Sequence, residues 1–285
     1  MKYLLAIFIL PVLLSSCISY HITEKDLFNS NKVSKLNEGL LLKEIYFETS
    51  DSVKLCGWFI KNDKAKGTFL YFGGNGFYLW NRLTPDVINT LTSFNMNLFL
   101  IDYRGFGRSE GTPTIQGLYN DGEAAYKYLC SRNDVDPTKI IVYGHSYGTF
   151  VALHVCNMHN VAGAVLQSPI SNAQDMSDAV LKYYAPWYLR WLVSLSADST
   201  VMNLDNLKQV HTIKQPILIF TGSNDKLTPP AMGQEVYDAA LSTDKTLEII
   251  PNGEHNDLFF SNKDGRRDYF IEVVNKYLKS IFDNK

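Results

Sequence analysis

The chain has 285 residues, of which 46% are hydrophobic and 20% charged, and its formal net charge is −2. This length and composition fit one large globular α/β domain or two small ones, and exclude a disordered or low-complexity chain. No basic block is present, which argues against a nucleic-acid partner.

The N-terminus differs from the rest of the chain. Lys2 precedes an apolar run over residues 3–14, and two serines then lead to Cys17. This order is typical of a secretory signal peptide, and the run is shorter than the roughly 20 residues of a membrane-spanning helix. Leu14-Ser15-Ser16-Cys17 is similar to the lipobox of bacterial lipoproteins. We therefore expect a lipoprotein signal peptide over residues 1–16. A cleaved, unlipidated chain and a short uncleaved anchor are the alternatives.

A lipid on Cys17 predicts a membrane-anchored protein of the bacterial cell envelope, on the periplasmic or surface side. Several acyl chains on one cysteine give stable attachment, whereas one chain alone binds marginally. The other three cysteines are far apart in sequence and form no CxxC pair, which favours small buried hydrophobic residues over a zinc or redox site. They are Cys56, Cys130 and Cys156.

Beyond the N-terminus, residues 17–40 predict a tether with a short helix near Glu24 to Leu36, and residues 41–285 predict one domain. A hairpin is predicted over residues 44–60. Further short apolar strands are predicted over residues 67–72, 97–102, 139–143, 163–167, 216–220 and 246–250. Helices are predicted over residues 79–93, 116–131, 147–158 and 266–282. Short apolar strands that alternate with helices indicate a mostly parallel central sheet with helices on both faces.

Residues 172–212 interrupt this alternation and contain few strand signals. They are rich in aromatic residues, which are Tyr183, Tyr184, Trp187, Tyr188 and Trp191. We expect a small helical cap inserted above the sheet. Such a cap suits an apolar acyl chain, and the alternative is a cap that only packs on the sheet.

The sequence Gly144-His145-Ser146-Tyr147-Gly148 lies between a predicted strand and a predicted helix. A G-x-S-x-G sequence in this context is typical of a nucleophile elbow, in which a tight turn presents the serine hydroxyl at the end of the strand. Ser146 is therefore the predicted nucleophile. A glycine-rich turn with an incidental serine is the alternative.

A serine nucleophile needs a histidine to accept its proton and an acid to orient that histidine. With an elbow of this type, the acid and then the histidine follow the serine in the chain. His255 follows the strand predicted over residues 246–250, and Asp225 follows the strand predicted over residues 216–220. An Asx-type turn is the alternative role for Asp225. Asp205 and Asp238 are weaker candidates because neither follows a strand. His145 is expected to point away from the site.

A tetrahedral intermediate also needs hydrogen-bond donors for its oxyanion. One is expected to be the backbone N–H of Tyr147, the residue after the nucleophile. The other is expected from the loop Gly73-Gly74-Asn75-Gly76, where glycines allow close approach of the backbone, and the N–H of Asn75 is favoured. A plain tight turn is the alternative for this loop. No metal or organic cofactor is expected.

Taken together, these motifs resemble the Bem46-type branch of the α/β-hydrolases, often labelled serine-aminopeptidase-like. The resemblance covers roughly residues 42–278 and rests on residues 71–76, 102–111, 144–148, 222–225 and 255–257. It implies the α/β-hydrolase fold and a Ser146–Asp225–His255 triad. Gly73 departs from the family, which usually has histidine there. Within residues 102–111, Arg104 is expected to brace the site without touching substrate.

The resulting hypothesis is a serine hydrolase that cleaves a carboxylic ester or thioester of a small molecule through an acyl-enzyme. Two alternatives remain open. One is a serine peptidase, which the family label indicates although no residue in the sequence is recognisable as a binder of a peptide amine. The other is a non-catalytic envelope protein that retains the fold.

Overall fold

The computed structural model describes residues 18–28, 42–257 and 265–283. The predicted signal peptide and Cys17 lie outside these residues. The strands are β1 Ile18–Ile22, β2 Glu44–Glu48, β3 Lys54–Ile60, β4 Thr68–Phe72, β5 Asn97–Asp102, β6 Ile140–His145, β7 Gly163–Gln167, β8 Val193–Ala197, β9 Ile217–Gly222 and β10 Lys245–Ile250. The α-helices are α1 Glu24–Leu27, α2 Thr84–Thr92, α3 Ile115–Cys130, α4 Gly148–Met158, α5 Ala173–Tyr184, α6 Ser199–Met202, α7 Asn206–Val210, α8 Pro230–Ala239 and α9 Arg266–Phe282.

Eight of the described strands form one sheet in the order β2-β3-β5-β4-β6-β7-β9-β10. The β2–β3 hairpin and the β3–β5 pair are antiparallel, and the other neighbouring pairs are parallel. Strands β4, β5, β7 and β9 are buried along their whole length, as parallel strands covered on both faces should be. This architecture confirms the predicted α/β fold class, with a mostly parallel sheet and an antiparallel hairpin at one edge.

Alternate side chains of β4 show how the two faces are covered. Phe69 and Tyr71 belong to a core cluster with residues of α2 and α9. Leu70 and Phe72 point to the other face and belong to a cluster with residues of α3, α4 and α8. Full burial of a side chain of this size stabilises the fold by about 1.5–3 kcal/mol. The sheet that carries the carboxyl ends of β6, β9 and β10 is therefore held firmly on both sides.

Two helices outside the cap and the N-terminal segment differ from the sequence prediction. The helix expected from residue 79 begins at Thr84, where Pro85 occupies the first turn. Proline is favoured in the first turn of a helix, because the backbone N–H that it lacks would have no partner within the helix. Helix α8, which also begins at a proline, was not predicted.

The cap predicted over residues 172–212 contains α5, α6 and α7, and it also contains the strand β8. Strand β8 pairs in parallel with β1, and Ile18 lies opposite Val193. The tether predicted for residues 17–40 did not include this strand. Helix α1 ends at Leu27 rather than near residue 36, and residues 29–41 lie outside the described part of the chain.

The three cysteines within the described residues are unpaired, and Cys56 and Cys156 are buried. Burial raises the pKa of the Cys56 thiol to about 12, so this group stays protonated and behaves as a small hydrophobic side chain. Cys130 is only partly buried. Within the described ranges, no helix is both long enough and apolar enough to cross a bilayer.

Candidate active site

Ser146 occupies the turn between β6 and α4 with a left-handed backbone, at φ +53°. A side chain on either flanking glycine would collide with backbone. A Cβ on Gly148 would lie 2.1 Å from the Phe72 carbonyl oxygen, and one on Gly144 would lie 2.7 Å from the Gly148 carbonyl oxygen. The close approach of this turn to its neighbours therefore explains both glycines of the G-x-S-x-G motif.

The structure brings Ser146, His255 and Asp225 into one hydrogen-bonded chain. Ser146 Oγ lies 3.0 Å from Nε2 of His255, and Nδ1 of the same ring lies 2.9 Å from Oδ2 of Asp225. Because a carboxylate only accepts hydrogen bonds, Nδ1 donates to Asp225, and Nε2 is then the nitrogen able to accept the serine proton. The side chain of Asp225 is fully buried, whereas His255 is 14% exposed.

The Asp225 carboxylate also organises its own loop. Oδ1 accepts hydrogen bonds from the backbone N–H groups of Leu227 and Thr228. This turn-capping role was the alternative for Asp225. In the structure the same carboxylate caps the turn through Oδ1 and accepts the hydrogen bond of His255 through Oδ2. Burial opposes ionisation of Asp225, but hydrogen bonds from His255 and Thr228 outweigh it and hold the pKa below its ordinary value.

Thr228 is a part of this site that sequence reasoning missed. Its hydroxyl donates to Oδ2 of Asp225 at 2.7 Å and lies 3.0 Å from Nδ1 of His255. A threonine three residues after an acid is a common turn residue, so only the folded loop reveals this contact.

His145 lies beside the loop of His255, and its expected direction away from the site was wrong. Its Nε2 donates to the backbone carbonyl of His255 at 3.2 Å, and the two ring centroids are 5.3 Å apart. Burial, with the neighbouring His255 ring as a second cause, lowers the pKa of His145 to about 3. His145 is therefore a neutral support for the loop that carries His255.

The glycine loop after β4 approaches the nucleophile closely. A Cβ on Gly74 would lie 3.2 Å from Cβ of Ser146. Asn75 lines the same cavity as Ser146 and Tyr147, and its side-chain amide donates to the Leu27 carbonyl at 2.6 Å. Asn75 and Tyr147 thus line the cavity beside the nucleophile, and their role as oxyanion donors stays a prediction.

The structure explains why glycine stands at position 73, where the resembling family usually has histidine. A Cβ at this position would lie 2.3 Å from Cγ of Phe77, so the phenyl ring occupies the space that a histidine side chain would need. Phe77 packs edge-on against Tyr71, with ring centroids 5.4 Å apart. The loop is therefore packed around Phe77.

Arg104 joins the β2–β3 hairpin to α3. Its guanidinium donates to both oxygens of Asp51, at 2.7 and 2.9 Å, and to Asp121 at 2.8 Å. The side chain of Arg104 is only 6% exposed. Hydrogen bonds from Arg104 hold the pKa of Asp51 well below its usual range. Arg104 is not among the residues that line the cavity at Ser146, which agrees with the bracing role predicted for it.

A cavity of about 550 Å³ opens at Ser146. Its walls come from the N-terminal segment of β1 and α1, from the start of α4, and from the cap. The lining is largely apolar and includes Leu27, Phe150, Met176, Val180, Leu195 and Leu204. The sequence predicted that the cap lies above the sheet, but it did not predict that β1 and α1 form another wall of this cavity. Among the residues that the structure describes, no three His, Cys, Asp or Glu side chains form a group able to hold a metal ion.

Known proteins resemble this chain over most of its length. The protein WAV2 of Arabidopsis thaliana, described as alpha/beta hydrolase domain-containing, is 29% identical over 88% of this chain and 84% of its own. Protein bem46 of Schizosaccharomyces pombe is 28% identical over 75% of this chain and 71% of its own. The structure of the Pyrococcus furiosus esterase Pf2001 superposes with a TM-score of 0.72, covering 90% of this chain and 98% of that one. At 22% identity, this likeness concerns the fold alone.

Residues 87–285 match the prolyl oligopeptidase family, and this range includes all three residues of the hydrogen-bonded chain. The chain therefore belongs to the prolyl oligopeptidase family, in the Bem46-type branch of the α/β-hydrolases.

Proposed function

We propose that the protein is a serine hydrolase that cleaves carboxylic esters or thioesters of small molecules through an acyl-enzyme on Ser146. The observation that carries this proposal is the hydrogen-bonded chain Ser146–His255–Asp225, whose serine opens into a largely apolar cavity. The chain supplies a nucleophile with its base, and the cavity offers an apolar acyl group a place to bind.

The first half of the proposed reaction forms the acyl-enzyme. Ser146 attacks the acyl carbonyl while Nε2 of His255 takes the hydroxyl proton. The backbone N–H groups of Asn75 and Tyr147 stabilise the oxyanion, and the imidazolium is stabilised by Asp225. His255 then gives its proton to the departing alcohol or thiol. In the second half, His255 activates a water molecule that hydrolyses the acyl-enzyme and regenerates Ser146.

The cavity favours an acyl substrate over a peptide with a free amino terminus. Recognition of a peptide ammonium group calls for a carboxylate in the binding site. Among the described residues that line the cavity, Asp26 is the only one with a carboxylate. Its Oδ2 atom accepts hydrogen bonds from the N–H and hydroxyl groups of Thr23, at 2.8 and 2.6 Å, so this carboxylate caps the start of α1. Peptide cleavage, which the family name indicates, remains the second candidate.

A Ser146→Ala variant tests the nucleophile. With p-nitrophenyl esters of graded chain length, we expect kcat to fall by about 10³-fold or more, because the hydroxyl that forms the acyl-enzyme is gone. Ser194→Ala, on the exposed side of β8, is the matched control and should keep its activity. A fluorophosphonate probe should label the wild type and not Ser146→Ala. Equal turnover by the two proteins, or equal labelling, would remove Ser146 from the mechanism. Faster turnover of aminoacyl amides than of esters would favour the peptidase.

We also propose that Cys17 carries a lipid that anchors the protein in the bacterial cell envelope. The support is the lipobox-like Leu14-Ser15-Ser16-Cys17 directly after the apolar run. Cys17→Ser should move the protein from the membrane fraction to the soluble fraction, whereas Cys130→Ser, a partly buried cysteine of α3, should not. Membrane retention of Cys17→Ser at the wild-type level would contradict lipidation.

A further inference from the structure

The end of α5 and the turn after it expose five large aromatic side chains within nine residues of sequence. We name this group the aromatic surface, and its members are Tyr183, Tyr184, Trp187, Tyr188 and Trp191. The two tryptophans are 77% and 63% exposed. Large aromatic side chains gathered in this way at a surface mark an interaction site, because scattered exposure is ordinary and clustered exposure is not. The catalytic chain and the cavity make no use of these residues.

The pairing of β1 with β8 places this surface next to the point where the N-terminal segment joins the described structure. The two strands are parallel and Ile18 lies opposite Val193, so both strands start at the same end of this two-stranded sheet. Trp191 precedes Val193 by two residues. The 17 residues before Ile18 include the apolar run 3–14 and Cys17, and they connect to the fold at this end.

The polarity of the surface suits a bilayer interface. Tryptophan and tyrosine are enriched at the headgroup level of membranes, where one end of the side chain is apolar and the other is polar. The indole N–H of Trp191 already donates to the Tyr188 carbonyl at 2.8 Å, so this ring enters an apolar region without an unpaired donor.

The charged residues next to the aromatic surface in the sequence also favour a membrane as its partner. Between Asp178 and Asp198 the chain has no acidic residue and two basic ones, Lys182 and Arg190. Arg190 donates to the carbonyls of Lys182 and Ala185, at 2.9 and 3.0 Å, which fixes the turn that presents the aromatic side chains. Two basic residues and no acidic one in this stretch of the chain complement anionic phospholipid headgroups.

We propose that the aromatic surface docks on the headgroup region of a phospholipid bilayer and orients the cap against it. This contact is additional to any attachment through Cys17, and it is independent of the catalytic proposal. Helix α5 carries both features, because Met176 and Val180 line the cavity and Tyr183 and Tyr184 belong to the aromatic surface. Docking therefore fixes the wall of the cavity relative to the membrane.

Tryptophan fluorescence of the full chain on vesicles tests the proposal. The chain has four tryptophans, and the other two, Trp58 and Trp80, are buried in the core. In vesicles of mixed zwitterionic and anionic phospholipid, brominated near the headgroup end of the acyl chains, we expect roughly half of the emission to be quenched. The matched control is Trp187→Phe with Trp191→Phe, which keeps the surface aromatic and removes the two reporters. Its remaining emission reports the folded core and should not be quenched.

Every other outcome overturns the proposal. Unquenched emission from a chain that sediments with the vesicles means that the surface faces away from the bilayer. A blue shift without quenching means that protein covers the surface: a second copy if the shift depends on protein concentration, or another part of the same chain if it does not. Equal quenching of the wild type and the double variant places the quencher at the core tryptophans. Failure of the chain to associate with vesicles removes the membrane as partner.

Discussion

Two regions of the molecule meet at the cavity and are built in different ways. We call them the catalytic edge, formed by the ends of β6, β9 and β10, and the cap wall, formed by β1, α1 and residues 173–204. At the catalytic edge, Ser146 and Asp225 are buried and the elbow leaves no room for a Cβ at Gly144 or Gly148. In the cap wall, β1 is largely exposed, β8 alternates between partly buried and exposed residues, and the two form a sheet of only two strands. A two-stranded sheet has little stability of its own.

Under the proposed function, this difference separates the residues that react from the wall that selects the substrate. Reaction geometry must be held within a fraction of an ångström, which close-packed backbone on a rigid sheet provides. A wall that only bounds the substrate tolerates looser construction. Asn75 joins the two regions, because its loop follows β4 at the catalytic edge and its side chain donates to Leu27 in the cap wall. The predictions below measure how separate the two regions are.

The largest effect is expected at the catalytic edge, from Asp225→Asn. The amide keeps the shape of the side chain but no longer fixes the proton on Nδ1 of His255. We expect kcat for p-nitrophenyl esters to fall by about 10³–10⁴-fold, as loss of the orienting acid does in serine hydrolases. Asp238→Asn, at an exposed position in α8, is the control and should keep its activity. If Asp225→Asn folds and stays within tenfold of the wild type, the acid is another residue.

The catalytic edge was largely predictable because its signals are local. The elbow is five consecutive residues, and its glycines follow from steric contacts that any such turn creates. Asp225 and His255 were found because the carboxyl ends of parallel strands meet at one edge of the sheet. What escaped prediction at this edge were side-chain directions. The ring of His145 and the hydroxyl of Thr228 have no sequence pattern that fixes where they point.

The cap wall was less predictable, because its strands depend on contacts between residues that are far apart in the sequence. Strand β1 depends on β8, whose residues follow it by 175 positions, and most of its side chains are exposed. Without an apolar periodicity, its conformation is set by tertiary pairing, and local propensity does not reveal it. The part of the cavity formed by Leu27 was missed for the same reason, because α1 is a single short helical turn.

A smaller effect is expected from Leu195→Trp in the cap wall. Leu195 lines the cavity, so the larger ring shortens the space for an acyl chain. We expect kcat/KM for long-chain esters to fall about tenfold or more relative to the acetate ester, with little change for acetate. Ser194→Trp places the same ring on the exposed side of β8 and is the control. An equal loss for acetate would show that the cap wall and the catalytic edge are not separable in this way.

The smallest effect concerns stability at the catalytic edge and appears only on acidification. The folded state lowers the pKa of His145 from 6.5 to about 3, so the unfolded chain takes up this proton first as the pH falls. The stability due to neutral His145 is therefore complete above pH 6.5 and is lost as the pH falls toward 3. The loss is at most about 1.4 kcal/mol per pH unit, and less here because residue His145 as a whole keeps some exposure to solvent.

His145→Asn removes this titration. In urea unfolding at about pH 7 and about pH 4, we expect the free energy of unfolding of the wild type to fall more steeply than that of the variant, by about 1–2 kcal/mol over this range. The variant should be less stable than the wild type at about pH 7, because the hydrogen bond from the ring to the His255 carbonyl is gone. The difference in free energy of unfolding between the two proteins should be smaller at about pH 4. Parallel losses would mean that His145 is protonated in the folded state. The edge would then be less tightly closed around the Ser146–His255–Asp225 chain than its geometry indicates.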